Sequence, residues 1–264
     1  MDISRTRVVL RERAVVDVLD LAVRFIAEHW AVYARLALAG VPLGFAASWL
    51  AAWLGGPLWG WAFAFFGSAL AGAPFTLLAS RLVFEDDVRL GPILGRSVRA
   101  FPQLAAQRAM TMGLGGVGLV LLFAPGVWVL AARLFVVEVL MLERAGLGEA
   151  RRRSSRLVGR YVGAPILAVM LLFLVQVAVV LVADAGGRAI ISALLEARSP
   201  EALWDKGWSA LALLGYWLLV PYTATARFFF YLDVRTRTEG WDIQTRFAGL
   251  ANRDEGVPSA RRAA

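Results

Sequence analysis

The chain has 264 residues, of which 59% are hydrophobic, and its formal net charge is +8. The ten tryptophans and a positive mean hydropathy are typical of an integral membrane protein rather than a soluble domain. The absence of cysteine excludes disulfides, thiolate metal sites and cysteine nucleophiles. The arginines cluster at the ends of apolar stretches, so the positive charge indicates orientation in a membrane and no nucleic-acid partner.

Residues 1–29 predict an amphipathic helix that lies at the membrane interface or packs on the helix bundle. Between residues 8 and 28 the polar side chains recur every three or four positions, which aligns them on one face of a helix. They are Arg13, Asp17, Asp20, Arg24 and Glu28. The remaining surface of this helix is mostly apolar, as expected for an interfacial helix.

A membrane domain at residues 30–232 follows, because six apolar stretches there are long enough to cross a bilayer. The predicted spans are residues 30–54, 58–83, 109–125, 126–142, 161–183 and 208–232. We expect residues 233–264 to form a cytoplasmic tail that is disordered from about residue 252.

Three polar segments separate these spans: an amphipathic stretch at 85–108, a basic segment at 146–160 and an outside loop at 184–207. In the loop, the sequence Ser199-Pro200-Glu201 predicts the start of a short helix, and Gly207 predicts its end.

The third and fourth spans come from one apolar stretch, residues 109–142, which would be about 50 Å long as a straight helix. The hydrocarbon core of a bilayer is only about 30 Å thick. Arginines flank both ends, so both ends are expected on the cytoplasmic side with an even number of crossings between them. We therefore expect the chain to double back at a hairpin turn formed by Pro125 and Gly126.

Together these patterns predict an all-α fold: a polytopic bundle of six transmembrane helices with amphipathic interfacial helices. We expect a bacterial cytoplasmic (inner) membrane protein with both termini in the cytoplasm. This topology leaves only Arg188, Arg198 and Lys206 of the 28 basic residues outside. Seven tryptophans then lie at or near the outer interface, where such rings prefer to sit: Trp49, Trp53, Trp59, Trp61, Trp128, Trp204 and Trp208.

Similar amphipathic stretches, at residues 17–25, 91–101 and 148–157, precede the first, third and fifth spans. Two explanations stay open. The chain contains three repeats of an interfacial helix plus a transmembrane hairpin, or these are ordinary amphipathic connectors.

Four ionisable residues within the predicted spans form the candidate site. Arg35, Glu138 and Arg227 lie four to five residues from the cytoplasmic ends of their spans, and Arg133 lies nearer mid-membrane. Buried charges tend to pair, to line a wet cavity or to snorkel. One hypothesis is a cytoplasm-facing cationic pocket, in which Glu138 offsets Arg35 or Arg227, that favours anionic headgroups or solutes. The alternative is a structural ion pair with snorkelling arginines.

Other motifs predict packing rather than chemistry. Residues 113–118 match a dinucleotide-binding fingerprint, but they lie inside a predicted span and follow no strand, so close helix packing explains these glycines better. The same holds for the GxxxG pairs Gly40/Gly44 and Gly159/Gly163. His29 is the single histidine, which leaves no metal site, and we expect no cofactor. Ser154 and Ser155 have no basic partner nearby in sequence and predict a solvated helix face.

The tail segment at residues 231–242, with Tyr231, Asp233, Arg235, Arg237, Glu239, Gly240 and Asp242, resembles the closing motif of a family of uncharacterised bacterial six-span membrane proteins. That family carries the label "glycerophosphoryl diester phosphodiesterase membrane domain". Residues 137–143 and 149–157 and the Pro125-Gly126 break are similar to it too, although Arg151 stands where the family usually has an apolar residue. The resemblance implies the fold and a membrane location. It implies no hydrolysis, because the catalytic motifs of a phosphodiesterase are missing.

The tail motif also predicts a cytoplasmic lock. Charged residues of both signs directly follow the sixth span: Asp233, Arg235, Arg237, Glu239 and Asp242. We expect them to pair with the basic segment 146–160. We expect a non-enzymatic scaffold or accessory subunit whose partners are the lipid bilayer, including anionic lipid, and a membrane protein or a second copy of the chain. The alternative is a transporter or lipid-handling protein that uses the cationic pocket.

Overall fold

The computed structural model describes residues 14–85, 88–121, 123–160, 162–194 and 200–239. Of these residues 90% are helical and none lies in a strand, which confirms the predicted all-α class. The expected disorder from residue 252 and the side chains of Arg13, Glu239 and Asp242 lie outside the described part of the chain.

Eleven helices follow one another in the described residues. They are α1 (Val15–Glu28), α2 (Trp30–Gly55), α3 (Pro57–Leu82), α4 (Leu90–Leu121), α5 (Phe123–Ala132), α6 (Val136–Glu138), α7 (Leu147–Arg160), α8 (Gly163–Leu194), α9 (Leu203–Lys206), α10 (Ala210–Leu218) and α11 (Val220–Glu239). A π-helical turn, Val139–Glu143, continues α6 without a break.

Among the described residues, five helical segments are long and apolar enough to cross a membrane. They are Trp30–Gly55, Pro57–Leu82, Leu90–Leu121, Phe123–Glu143 and Gly163–Ala193. The sixth predicted span, residues 208–232, is not among them. It is divided at Leu219 into α10 and α11, and the second half of α11 is rich in charged residues.

The central apolar stretch does double back, but the position predicted for the turn is wrong. Helix α4 ends at Leu121 and α5 begins at Phe123, so Pro125 and Gly126 lie in the first turn of α5. Proline is favoured there because the first turn of a helix has no use for its missing N–H group. A Cβ atom on Gly126 would lie 2.5 Å from the backbone nitrogen of Leu119, so this glycine lets α4 and α5 pack closely instead of forming the turn.

Several helices run beyond the predicted membrane boundaries. The amphipathic stretch 85–108 is largely part of α4, residues 184–194 of the predicted outside loop belong to α8, and the start of the tail continues α11. Hydropathy marks where apolar side chains stop, whereas a helix continues as long as its backbone hydrogen bonds are unbroken. The short helix α9 starts after Ala202, whose N–H donates to Asp205 Oδ2 at 2.9 Å, and so not at Ser199 or Pro200. It ends at Gly207 as predicted, where φ is 73°.

A ring of helices encloses the interior. Helix α4 packs on α5, α5 on α8, α8 on α10, and α3 closes the ring by contacting α10, α11 and α4. Helix α2 packs outside α3, where the ring of Trp217 lies against Gly44 and its Nε1 donates to Ser48 at 3.1 Å.

Two of the three amphipathic stretches are separate helices, and one is not. Helix α1 packs on α11. The rings of Phe25 and Phe229 are arranged edge to face there, with their centroids 5.1 Å apart. Helix α7 is likewise distinct from α8, but residues 91–101 belong to the same continuous helix as the span that follows. The three stretches are therefore not equivalent in three dimensions.

The predicted GxxxG contacts do not form as pairs. A Cβ atom added at Gly40, Gly159 or Gly163 would meet nothing within 4 Å, whereas one at Gly44 would collide with Trp217. Only one glycine of the first pair therefore serves close packing, and neither glycine of the second does.

Candidate binding cavity

The structure brings Glu138 and Arg227 together in the interior. Glu138 ends α6 and is 0% exposed, and Arg227 lies on α11. The Nη2 atom of Arg227 donates to both carboxylate oxygens, at 2.9 and 3.1 Å. Because an unpaired buried charge costs several kcal/mol, this contact accounts for a carboxylate at such depth.

A cavity of about 250 Å³ lies beside this pair, inside the ring of helices. Three arginines line it from three different helical segments: Arg108 on α4, Arg133 after α5 and Arg227 on α11. The neutral polar residues of its wall are Ser68, Gln107, Thr111, Gln176, Tyr216 and Thr223. None of the described lining residues is acidic, so the wall has an excess of positive charge and of hydrogen-bond donors.

Three buried N–H groups of this wall have no hydrogen-bond partner in the described protein. They are Nη1 of Arg133, Nε of Arg227 and Nε2 of Gln176. Burying a donor without an acceptor costs about 1–3 kcal/mol, so most native donors in such positions find one. Three in one cavity indicate that an acceptor from outside the protein, water or a ligand, belongs there.

The break between α5 and α6 positions Arg133. Residues 133–135 form a turn, and the hydroxyl of Ser154 on α7 fills the gap in the backbone hydrogen bonds. It donates to the carbonyl oxygen of Ala132 at 2.8 Å and accepts the N–H of Phe135 at 3.3 Å. Ser154 is 0% exposed, so the prediction of a solvated serine is wrong for this residue. Because the serine side chain is small, α7 can approach the break closely enough for the hydroxyl to reach both backbone groups.

Helix α4 contributes two further side chains. Arg108 donates through Nε to the carbonyl oxygen of Phe65 on α3 at 2.7 Å. Gln107 accepts from Arg151 Nε at 2.7 Å and donates to Thr111 at 3.0 Å. Arg151, the residue that departs from the family pattern, therefore links α7 to the wall of the cavity.

Arg35 does not belong to this site. It is exposed on α2 and does not line the cavity, although its depth along the span matches that of Glu138. Helix α2 packs outside α3, so a residue on its outer face cannot reach the ring interior.

One charged tail residue, Arg235, lies near a second carboxylate, Glu143, at the end of the π-helical turn. Glu143 contacts the hydroxyl of Tyr231 and the guanidinium of Arg153, and Arg235 Nη1 lies 3.5 Å from its Oε1. Arg235 also donates to the Tyr231 hydroxyl at 3.0 Å.

Other described residues of the tail motif make contacts within α11 or with α7. Asp233 accepts from Arg237 Nε at 2.9 Å, and Arg160 Nη1 on α7 donates to the carbonyl oxygen of Thr238 at 3.0 Å. The start of the predicted tail is thus joined to the basic segment, and the effect of this contact on assembly stays a prediction.

One buried acid was missed by sequence reasoning. Asp184 on α8 is 2% exposed and accepts from Ser209 Oγ at 2.5 Å, from Arg188 Nη2 at 3.1 Å and from the N–H of Leu203 at 3.3 Å. It therefore fastens the starts of α9 and α10 to α8. The signal in the sequence was the pairing of Asp184 with Arg188 one helical turn later.

No group of three or more possible metal ligands occurs among the described residues. Comparison of the chain with family models, curated proteins and solved structures gives no match. The resemblance to the six-span family therefore stays a prediction from the residues that carry it.

Proposed function

We propose that the protein binds an anionic group in the cavity at Arg108, Arg133 and Arg227, and that it handles or transports the molecule that carries this group. The observation that carries the proposal is the set of three arginines facing one cavity whose described wall has no carboxylate. Of these three arginines, Glu138 forms an ion pair with Arg227 alone among the described residues. A guanidinium in a low-dielectric interior is costly without a counter-ion, and an anion supplies one.

The cavity volume and position narrow the class of ligand. About 250 Å³ is slightly below the ~300 Å³ at which sites for drug-sized molecules begin, so it accommodates a headgroup or a small organic anion rather than a whole lipid. The lining residues of α3 and α4 come from the middle portions of these candidate spans, and those of α8 come from the first half of its span. A charged headgroup at that depth is shielded from hydrocarbon, as required of a lipid-handling protein or a transporter.

The scaffold function favoured by the sequence stays a prediction. A filled bundle with all its charges paired would support it better than this cavity does. The proposed role is non-enzymatic, since neither the cavity wall nor the sequence offers a recognisable set of catalytic residues.

The proposed topology has six spans, with residues 208–232 as the sixth and both termini in the cytoplasm of a bacterium. Its support is the distribution of arginines, which cluster at the ends of α3, α4, α7 and α11 that would then face inward. The native chain lacks cysteine, so single cysteines at positions 152, 204 and 260 can be labelled without background. We expect positions 152 and 260 to react only with permeant reagent added to intact cells, and position 204 to react with an impermeant one. Opposite sides for 152 and 260 would overturn the topology.

The binding proposal is tested by purifying the protein in lipid nanodiscs and identifying co-purified lipids and organic anions by mass spectrometry. Arg133→Gln removes a cavity charge, and Arg35→Gln removes an exposed one at a matched position on the outside of the bundle. We expect Arg133→Gln to reduce one anionic species at least about tenfold, as loss of a charge-assisted contact of about 1.4 kcal/mol would. Arg35→Gln should retain it. The same species in equal amount from all three proteins would contradict the proposal.

A further inference from the structure

A second cationic cleft lies away from the central cavity, where two candidate spans end. Arg81 occupies the last turn of α3, and Arg144 directly follows the segment Phe123–Glu143. Arg96 and Arg99 face them from the first half of α4. These four arginines line a cleft of about 550 Å³, and none of its described lining residues is acidic.

The four guanidinium groups are poorly neutralised by the described protein. Among the described residues, Arg81 has one acidic partner, Glu85, at 4.0 Å, and Arg99 donates to the carbonyl oxygen of Gly95 at 3.2 Å. The Nη2 atom of Arg96 is buried without a hydrogen-bond partner in the described protein. Two of the charges that act on Arg96 are those of Arg144 and Arg81, and both are positive.

The backbone holds this arrangement at some cost. Arg144 has φ 55°, and it is the only residue other than glycine with a positive φ among the described residues. The left-handed conformation costs an ordinary residue about 1–2 kcal/mol. Here it ends the π-helical turn and brings the Arg144 side chain to the cleft wall.

We propose that this cleft binds a phosphate group. Guanidinium groups pair with phosphate through two parallel hydrogen bonds. Several arginines around one cleft match the charge and the tetrahedral oxygens of a phosphate better than they match a single carboxylate. The cleft lies at the ends of α3 and of the Phe123–Glu143 segment, the level at which the phosphates of a bilayer would lie. The phosphate belongs to a lipid headgroup or is free in solution. This site does not depend on the ligand of the central cavity.

The test uses the full chain in detergent, with native mass spectrometry to compare adducts of phosphatidic acid and phosphatidylcholine. A second arm titrates inorganic phosphate by calorimetry. The double variant Arg96→Gln with Arg144→Gln removes two charges of the cleft. The matched control, Arg152→Gln with Arg156→Gln, removes two exposed charges of α7 that line neither cavity.

We expect the cleft variant to lose phosphate-dependent binding by at least about tenfold, and the control to stay within about twofold of the native protein. Loss in the lipid arm alone identifies a headgroup, and loss in the calorimetric arm identifies free phosphate. Unchanged binding in both arms, or an equal loss in the control, overturns the proposal. Melting temperatures of all variants report whether they fold. Loss of an anionic adduct with Arg133→Gln but not with the cleft variant would support the central cavity alone.

Discussion

Two carboxylates five residues apart, Glu138 and Glu143, both bind groups on α11, but in different surroundings. Glu138 is fully buried, and its ion-pair partner among the described residues is Arg227. Glu143 has a side chain that is 20% exposed, and its carboxylate contacts Tyr231, Arg153 and Arg235. The ion pair at Glu138 neutralises one buried arginine charge beside the cationic cavity. The contacts of Glu143 instead join three chain segments at the end of the bundle. The number of partners and the depth, rather than the residue type, therefore decide what each acid contributes.

The largest expected effect comes from Glu138→Leu. It leaves the Arg227 guanidinium buried without its carboxylate, which we expect to lower the free energy of unfolding by about 3–5 kcal/mol. Titration with a denaturing detergent measures this loss. The double variant Glu138→Leu with Arg227→Met removes both charges and should lose much less. A double variant as unstable as the single one would show that packing, and not the ion pair, matters at this position.

Ser154→Ala tests the break that lies before Glu138. It removes both hydrogen bonds across residues 132–135 and leaves the buried N–H of Phe135 without an acceptor. We expect a loss of about 1–3 kcal/mol in the free energy of unfolding, together with weaker binding in the central cavity through displacement of Arg133. The neighbouring exposed serine provides the control, since Ser155→Ala should change neither quantity. An equal effect of both variants would contradict this role.

Glu143→Gln is expected to cost less, about 1 kcal/mol. The substitution keeps an acceptor for the Tyr231 hydroxyl but removes the ionic contacts with Arg153 and Arg235, which are partly exposed. Thermal unfolding in detergent gives the shift, and its dependence on salt separates the ionic contribution from packing. A loss as large as that of Glu138→Leu would erase the distinction between the two acids.

The smallest effect is predicted for Arg235→Gln, below about 1 kcal/mol, because Glu143 keeps its contacts with Tyr231 and Arg153. The same thermal measurement checks it. Additive losses in the double variant with Glu143→Gln would show that the two residues act independently, contrary to the network described here.

Depth along a span can be read from the sequence, and depth was enough to suggest that Glu138 pairs with Arg35 or Arg227. The sequence says little about the direction in which a side chain points around its helix or about which helices are neighbours. Arg35 has the right depth but lies on α2, outside the ring. Arg108 was overlooked because hydropathy placed it before a span, whereas α4 carries it into the cavity wall. Helix ends were displaced for a related reason, since apolarity and backbone hydrogen bonding stop at different residues.

The hydroxyl of Ser154 joins a surface helix to the turn that carries Arg133. Anything that pulls α7 sideways, such as a docking protein or a change in the charge of the lipid surface, would pull on that turn as well. A displacement of α7 at the edge of the bundle would thus be transmitted to Arg133 in the cavity wall through the hydrogen bonds of a single hydroxyl oxygen.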